Sequence, residues 1–214
     1  MTEKKYSQSN EDLHIVNYFN NFKGNLLSIG ENDGKTFSNA LALIELGWNA
    51  VLVEPSPTCF DRLMELHKDS KSHVRAFKCA IGNENTTTTF YESGKLPDPN
   101  ATIDNYSLVS SLNEVEKKRW DALNLSWVEY PVDVITYESL CKSITPPINF
   151  DFISIDCEGL DLDILKQIDL INTKLVCIEY NSIDEIKNEI VNYCSKFGLI
   201  NVIYQNAENI LIGL

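Results

Sequence analysis

Residues 25–34 read Asn-Leu-Leu-Ser-Ile-Gly-Glu-Asn-Asp-Gly, and residues 50–57 read Ala-Val-Leu-Val-Glu-Pro-Ser-Pro. Each opens with a short apolar run of the kind that fills a strand buried on both faces. The first run, Asn25–Ile29, enters a turn with glycine at 30 and 34. Beyond it Phe37, Ala40, Leu41 and Ile44 recur at helical spacing, and Gly47 supplies a C-terminal stop. The second run, Ala50–Val53, ends on Glu54 and is broken by Pro55. Ser56 and Pro57 then fit the N-cap and first position of a helix with Phe60, Leu63, Met64 and His67 on one face. Strand and helix in alternation predict a parallel sheet with crossover helices.

The flanking sequence extends this pattern in both directions. Upstream, Ser9 followed by Asp12 marks the start of a helix whose apolar side is Leu13, Ile15, Val16 and Phe19. Downstream, Val74–Ile81 reads as a third strand closed by Gly82, and the threonine-rich Thr86–Tyr91 as another. Residues 93–105, with two prolines, read as a long exposed loop of the kind that covers a site. Ser111 with Glu114 forms a capping-box pattern before a short helix carrying Trp120 and Leu123. Further strands are expected at Trp127–Thr136, Phe150–Ile155 and Lys174–Ile178, with a helix presenting Leu162, Leu165 and Ile168 and another over 183–196. A hairpin of Leu199–Tyr204 and Asn209–Leu214 closes the chain. The expectation is a single α/β domain over 1–214, with a mostly parallel seven-stranded sheet, helices on both faces and a C-terminal antiparallel hairpin. Within it, 1–24 is an N-terminal helical segment and 93–127 a lid or acceptor-side insertion.

Composition narrows the function. The formal net charge of −13 opposes nucleic-acid backbones and anionic membranes. The one basic knot, Lys117–Arg119, sits beside Glu114 and Glu116 and reads as a solvated helix face, so nucleic acid is not the expected partner. Six cysteines without a CxxC pair argue against zinc and for free thiols in a reducing compartment. No apolar run is long enough to span a bilayer, and the polar N-terminus lacks a signal region, so a cytoplasmic location is expected.

The chemistry concentrates at strand ends. The Gly30 and Gly34 turn allows close backbone approach to a ligand. Its intervening Glu31, Asn32 and Asp33 oppose a pyrophosphate and suit a ligand carrying a sulfonium and an ammonium. The absence of GxGxxG likewise weighs against a nicotinamide oxidoreductase. Glu54 is placed to accept hydrogen bonds from both hydroxyls of a ribose. Cys79, Ala80 and Ile81 are small and apolar where a flat base would rest. Asp156 and Glu158 flank the end of a strand and can face one site, where Asp156 alternatively orders the turn and Glu158 caps the next helix. Glu179 ends the following strand; the three acids either hydrogen-bond or supply hard oxygens to a divalent cation, the lesser expectation. His14 and His67 read as packing or surface residues.

Taken in order, YSQSNEDL (6–13), LLSIGENDGKTFS (26–38), AVLVEPSP (50–57), FKCAIGN (77–83), LVSSL (108–112) and FISIDCEGLDLDILK (152–166) resemble the FkbM-type methyltransferases, over Tyr6 to about Glu179. The resemblance implies a class I Rossmann-like fold and S-adenosylmethionine-dependent O-methyl transfer to a hydroxyl of a sugar, glycan or related small molecule. It implies that Gly30, Asn32, Asp33 and Gly34 line the methionine part of the cofactor. Glu54, with Pro55 after it, would serve the ribose; Asp156 would lie near the sulfonium, and Gln8 would reach the cofactor. One departure stands out: Ser28 occupies the position, two residues before the first glycine, where related enzymes carry an acid. Glu31 or Asp156 is expected to compensate for the cofactor amino group. Asp156 or Glu158 is the candidate general base. The acceptor is expected over Ser93–Trp127, near Ser110, Ser111 and Trp120. The alternative the Ser28 departure keeps open is a non-catalytic module that binds the cofactor or a protein partner.

Overall fold

The structure is a computed structural model that describes residues 5–69, 74–93, 110–112, 114–119 and 126–214. The apolar runs form the strands of the main sheet: β1 (Asn25–Ile29), β2 (Asn49–Val53), β3 (Val74–Phe77), β7 (Phe152–Ile155), β8 (Leu175–Glu179), β9 (Asn201–Gln205) and β10 (Asn209–Gly213). Their order is β3-β2-β1-β7-β8-β10-β9. All neighbouring pairs from β3 to β8 are parallel, while β10 runs antiparallel to both β8 and β9. The closing hairpin therefore inserts β10 inside the sheet and leaves β9 as the edge.

Strand alternation divides the core in two. On β1 and β7, Leu27, Ile29, Ile153 and Ile155 pack on one face with Leu165 and Ile190 from helices α6 (Asp161–Leu165) and α7 (Asp184–Ser195). Leu26 and Phe152 pack on the other face, with Ile15 and Phe19 from helix α1 (Glu11–Phe19), Leu43 from α2 (Leu41–Glu45) and Leu63 from α3 (Pro57–His67). Helices thus cover both faces, as the alternation predicts.

Several local expectations are corrected. The Val74–Ile81 run is two strands: β3 stays in the main sheet, and β4 (Ala80–Ile81) leaves to pair in parallel with β6 (Trp127–Ile135). With β5 (Thr86–Ser93) these form a second sheet in the order β4-β6-β5. The helix after the glycine turn is short, because Phe37 takes a left-handed φ of 57° and Ser38 Oγ accepts from the backbone N–H groups of Ala40 and Leu41. Met64 faces solvent, and Cys59 joins Leu63 on the buried side of α3. At α1, Ser9 is not the cap; Ser7 and Asp12 bond reciprocally, Ser7 Oγ donating to Asp12 Oδ1 at 2.6 Å and accepting from Asp12 N at 3.1 Å. Helix α4 (Glu114–Arg119) starts too late for Ser111 to cap it; Ser111 instead forms an antiparallel bridge with Tyr91. Trp120 and Leu123 lie outside the described residues. Among the described residues, no helix is long and apolar enough to cross a membrane.

Candidate functional site

A crevice opens where β1, β2 and β7 end, on the side of their carboxyl termini. This is the position at which open α/β sheets bind ligands. Gly30 makes it possible. Its φ is +81°, and a Cβ there would lie 1.8 Å from the Asp156 carbonyl oxygen, so only glycine lets the β1 turn cross the end of β7.

Glu54 forms one wall. Its Oε2 accepts from Asn32 N at 2.8 Å and its Oε1 from Ser56 N at 2.7 Å, so both oxygens are fixed and each keeps a lone pair for a ligand. Burial raises its pKa to about 7, assisted by the charges of Glu31 and Glu92 and opposed by the two backbone N–H groups. Pro55 lies beside it, and Ala80, Ile81, Cys79 and Phe90 make an apolar slot opposite. The split of β3 from β4 places that slot: Ala80 and Ile81 pair with Val134 and Ile135 and bring the second sheet to the crevice mouth.

Asp156, Cys157 and Glu158 line the far end. The turn that holds them is ordered by Asp161, whose carboxylate accepts from Cys157 N at 2.8 Å and Gly159 N at 3.1 Å. Asp156 therefore does not order the turn. Glu158 does not cap α6 either, since the N-cap is Leu160 without a side-chain bond. Glu158 sits at φ 47°, and its carbonyl accepts from Ser111 Oγ at 3.1 Å. Oxygens of Asp156, Glu158 and Glu179 come within 4.8 Å of one another. Burial raises the pKa of Asp156 above the carboxylate range, with further upward pressure from Asp161, Glu208, Glu11 and Glu31. Burial raises Glu179 in the same direction, followed by Asp156, Asp161 and Glu158.

Four residues expected to bind the cofactor lie outside the crevice lining. Glu31 is buried behind it, accepting from Ser38 Oγ at 2.6 Å and hydrogen-bonding the Ser28 side chain. Its carboxyl thus reaches the place left by Ser28, and burial raises its pKa to about 7. Asp33 turns onto its own loop, accepting from Lys35 N, Thr36 N and Thr36 Oγ1. Gly34 packs beneath α3, where an added Cβ would meet Leu66, His67 and Leu63. Gln8 donates to Glu208 Oε1 at 3.3 Å on the surface.

The crevice also takes in Ser110, Ser111 and Leu112, so part of the 93–127 insertion does border it. Residues missed by the sequence reading are Asp161, which orders the turn of residues 156–159, and Glu92, whose Oε1 accepts from Ser56 Oγ beside Glu54. The spacing of Asp161 to Cys157 was a usable signal; Glu92 lies on a strand whose pairing no local pattern reveals. Of the basic knot, Lys117 Nζ lies 3.0 Å from Glu129 and Lys118 Nζ 3.3 Å from Glu114. His14 stacks on Tyr204 at 4.1 Å, away from chemistry.

Comparison with known proteins agrees with this architecture. The family model described as Methyltransferase FkbM domain matches residues 28–201. No curated protein matches the chain. The crystal structure of methyltransferase FkbM from Methylobacillus flagellatus KT is similar, with TM-score 0.54 at 12% identity, covering 90% of this chain and 44% of that one. The present chain therefore spans under half the length of that protein. Precorrin-6y C5,15-methyltransferase from Geobacter metallireducens GS-15 gives a TM-score of 0.48 at 9% identity, covering 100% of this chain and 91% of that one. The METTL16 methyltransferase domain gives 0.45 at 11% identity, covering 94% and 63%. At such identities the likeness speaks for the fold alone, which is that of the class I methyltransferases.

Proposed function

The chain belongs to the FkbM methyltransferase domain family, and from that premise we propose that its crevice binds S-adenosylmethionine and transfers the methyl group to a hydroxyl of a sugar, glycan or related small molecule. The observation that carries the reading is Glu54, held by two backbone N–H groups at the end of β2 and facing an apolar slot. That pairing fits a ribose whose two hydroxyls donate to one carboxylate, with the adenine laid against Ala80 and Ile81. Gly30, Asn32 and Asp156 would line the methionine part, and acids that include the Glu31 carboxyl behind Ser28 would attract its amino group. The Ser28 departure no longer favours a non-catalytic module on this reading.

The transfer is an in-line displacement in which the acceptor oxygen bonds the methyl carbon, the carbon–sulfur bond breaks, and its electron pair returns to sulfur. The donor is already activated by its charge, so the protein contributes chiefly by holding the oxygen close and collinear. The acceptor proton passes to Asp156 or Glu158, the acids at the far end. Small-molecule or glycan acceptors are the expected partners, entering from the side of Ser110 and Ser111.

Isothermal titration calorimetry with S-adenosylmethionine and its demethylated product tests the reading. One molecule of either should bind per chain, and a crystal of the complex should show the ribose on Glu54. Absence of binding, or a nucleoside seated elsewhere, rejects it.

A further inference from the structure

We propose that Asp156, Glu158 and Glu179 form a binding site for one hard divalent cation of the size of Mn2+ or Ca2+. Three observations converge on it. First, the three carboxylates arrive from two adjacent strand ends and one turn, and an oxygen of each lies within 4.8 Å of the others. Two oxygens on opposite sides of one ion are separated by twice the metal–oxygen distance, about 4.2 Å for Mg2+ and about 4.6–5.2 Å for Ca2+. The spread therefore fits a single ion, with least adjustment for the larger ones.

Second, Glu179 is only 8% exposed, and its Oε2 is buried with no hydrogen-bond partner. Its other bond is to Asn181. A buried carboxylate oxygen left without a donor is costly, and a cation satisfies it. Third, the charges that act on Asp156 and Glu179 are Asp161, Glu208, Glu11, Glu31 and Glu158, acids without exception. None of these groups, among the described residues, is a cation, so a bound ion would relieve the repulsion.

The turn also holds its ligand in place. Asp161 fixes the N–H groups of Cys157 and Gly159, and Ser111 fixes the Glu158 carbonyl, so the Glu158 backbone is braced on both sides. Three protein oxygens leave further coordination positions open to the crevice for water or for oxygens of a ligand. On the methyl-transfer reading those positions face the acceptor, and the second carboxylate oxygen of Asp156 or Glu158 remains to take the acceptor proton. The cation site itself stands without that reading.

The test uses the full chain stripped with a chelator and titrated with MnCl2, free Mn2+ being followed by electron paramagnetic resonance. One ion should bind per chain at or below about 1 mM, and Ca2+ should displace it. Saturation with the demethylated cofactor product should leave the stoichiometry unchanged. Glu158→Gln and Glu179→Gln should each weaken binding about tenfold or more, while Asp163→Asn, an exposed acid of α6, should not. Glu158 lines the open crevice, so its variant remains informative if Glu179→Gln fails to fold. No saturable binding, equal affinity in Glu158→Gln and Asp163→Asn, or loss of Mn2+ when the cofactor product binds would each overturn the proposal. The last result would assign the acids to the cofactor's amino group. Failure of the nucleoside to bind, with Mn2+ still held by these acids, would defeat the cofactor reading alone.

Discussion

Glu54 carries the most consequence of any single side chain. Removing it removes a charge-assisted contact to the ribose, so Glu54→Ala should weaken S-adenosylmethionine binding by about 1.5–3 kcal/mol, read by calorimetry. Unchanged affinity would withdraw the ribose assignment. Its proton affinity gives a second handle. Burial raises the folded pKa from 4.5 to about 7, with Glu31 and Glu92 as the charged groups adding to it. A raised folded pKa means the native state binds this proton more tightly than the unfolded chain. The stability it contributes is full below about 4.5 and is lost as pH rises through about 7. Ligand binding runs the other way, because ribose hydroxyls donate to the ionised form. Affinity should therefore climb as pH rises through about 7 with release of a proton, and Glu54→Gln should flatten the climb. Calorimetry in two buffers of different ionisation heat measures that proton directly. The place of Glu54 at the end of β2 was legible in the sequence because it directly follows an apolar run. Asp33 was misplaced because its partners are local: an Asp three residues before Thr36 closes its own turn, and composition alone does not tell a turn-closing acid from a ligand-facing one.

At the scale of elements, legibility follows how local the signal is. Ser56 and Pro57 announced α3, and Ser56 Oγ does accept from Cys59 N at 3.1 Å. The same hydroxyl donates to the buried Glu92 of β5, which ties the cap to the second sheet. Ser56→Ala should therefore cost more than the roughly 1 kcal/mol of an ordinary cap, about 2–4 kcal/mol in urea unfolding, because the buried Glu92 loses the donor to its Oε1 and keeps only the long contact from Thr58 Oγ1 to its Oε2, 3.4 Å. The double variant Ser56→Ala, Glu92→Leu should cost less than the sum of the two single ones; simple additivity would deny the link. The division of Val74–Ile81 carried no such local signal. Its run carries no proline or glycine, and what separates β3 from β4 is a partner, Val134 and Ile135, lying far along the chain. Helix α2 failed for a related reason. The Phe37–Ile44 spacing is helical, yet Glu31 draws Ser38 toward itself, and Ser38 then serves the N–H groups of Ala40 and Leu41. A buried acid set the start of that helix, and burial is not written in periodicity.

For the molecule as a whole, the parallel sheet was legible because strands buried on both faces show themselves as unbroken apolar runs, and the two cores follow from that same fact. Neither core has a layer of its own to stand on. Phe152 and Ile153 are consecutive residues of β7, one in each core, and both are buried to within 1%. Loosening either face releases the shared strand and so exposes the opposite face, which predicts one cooperative transition for a single domain. Phe152→Ala should lower the stability by about 3–5 kcal/mol and Ile153→Ala by about 2–5 kcal/mol. Both should do so by shifting the same urea midpoint with an unchanged slope. With Trp120 and Trp127 replaced by Phe throughout, Trp48, fully buried beside Phe19 on the Phe152 face, gives a fluorescence probe of one core. Far-ultraviolet circular dichroism reports the backbone as a whole, and the two curves should coincide in the native chain and in both variants. If Ile153→Ala instead splits the curves, leaving the Trp48 transition where it was, the two faces unfold separately, and the sheet is then a boundary between two units where coincident curves would make it their common support.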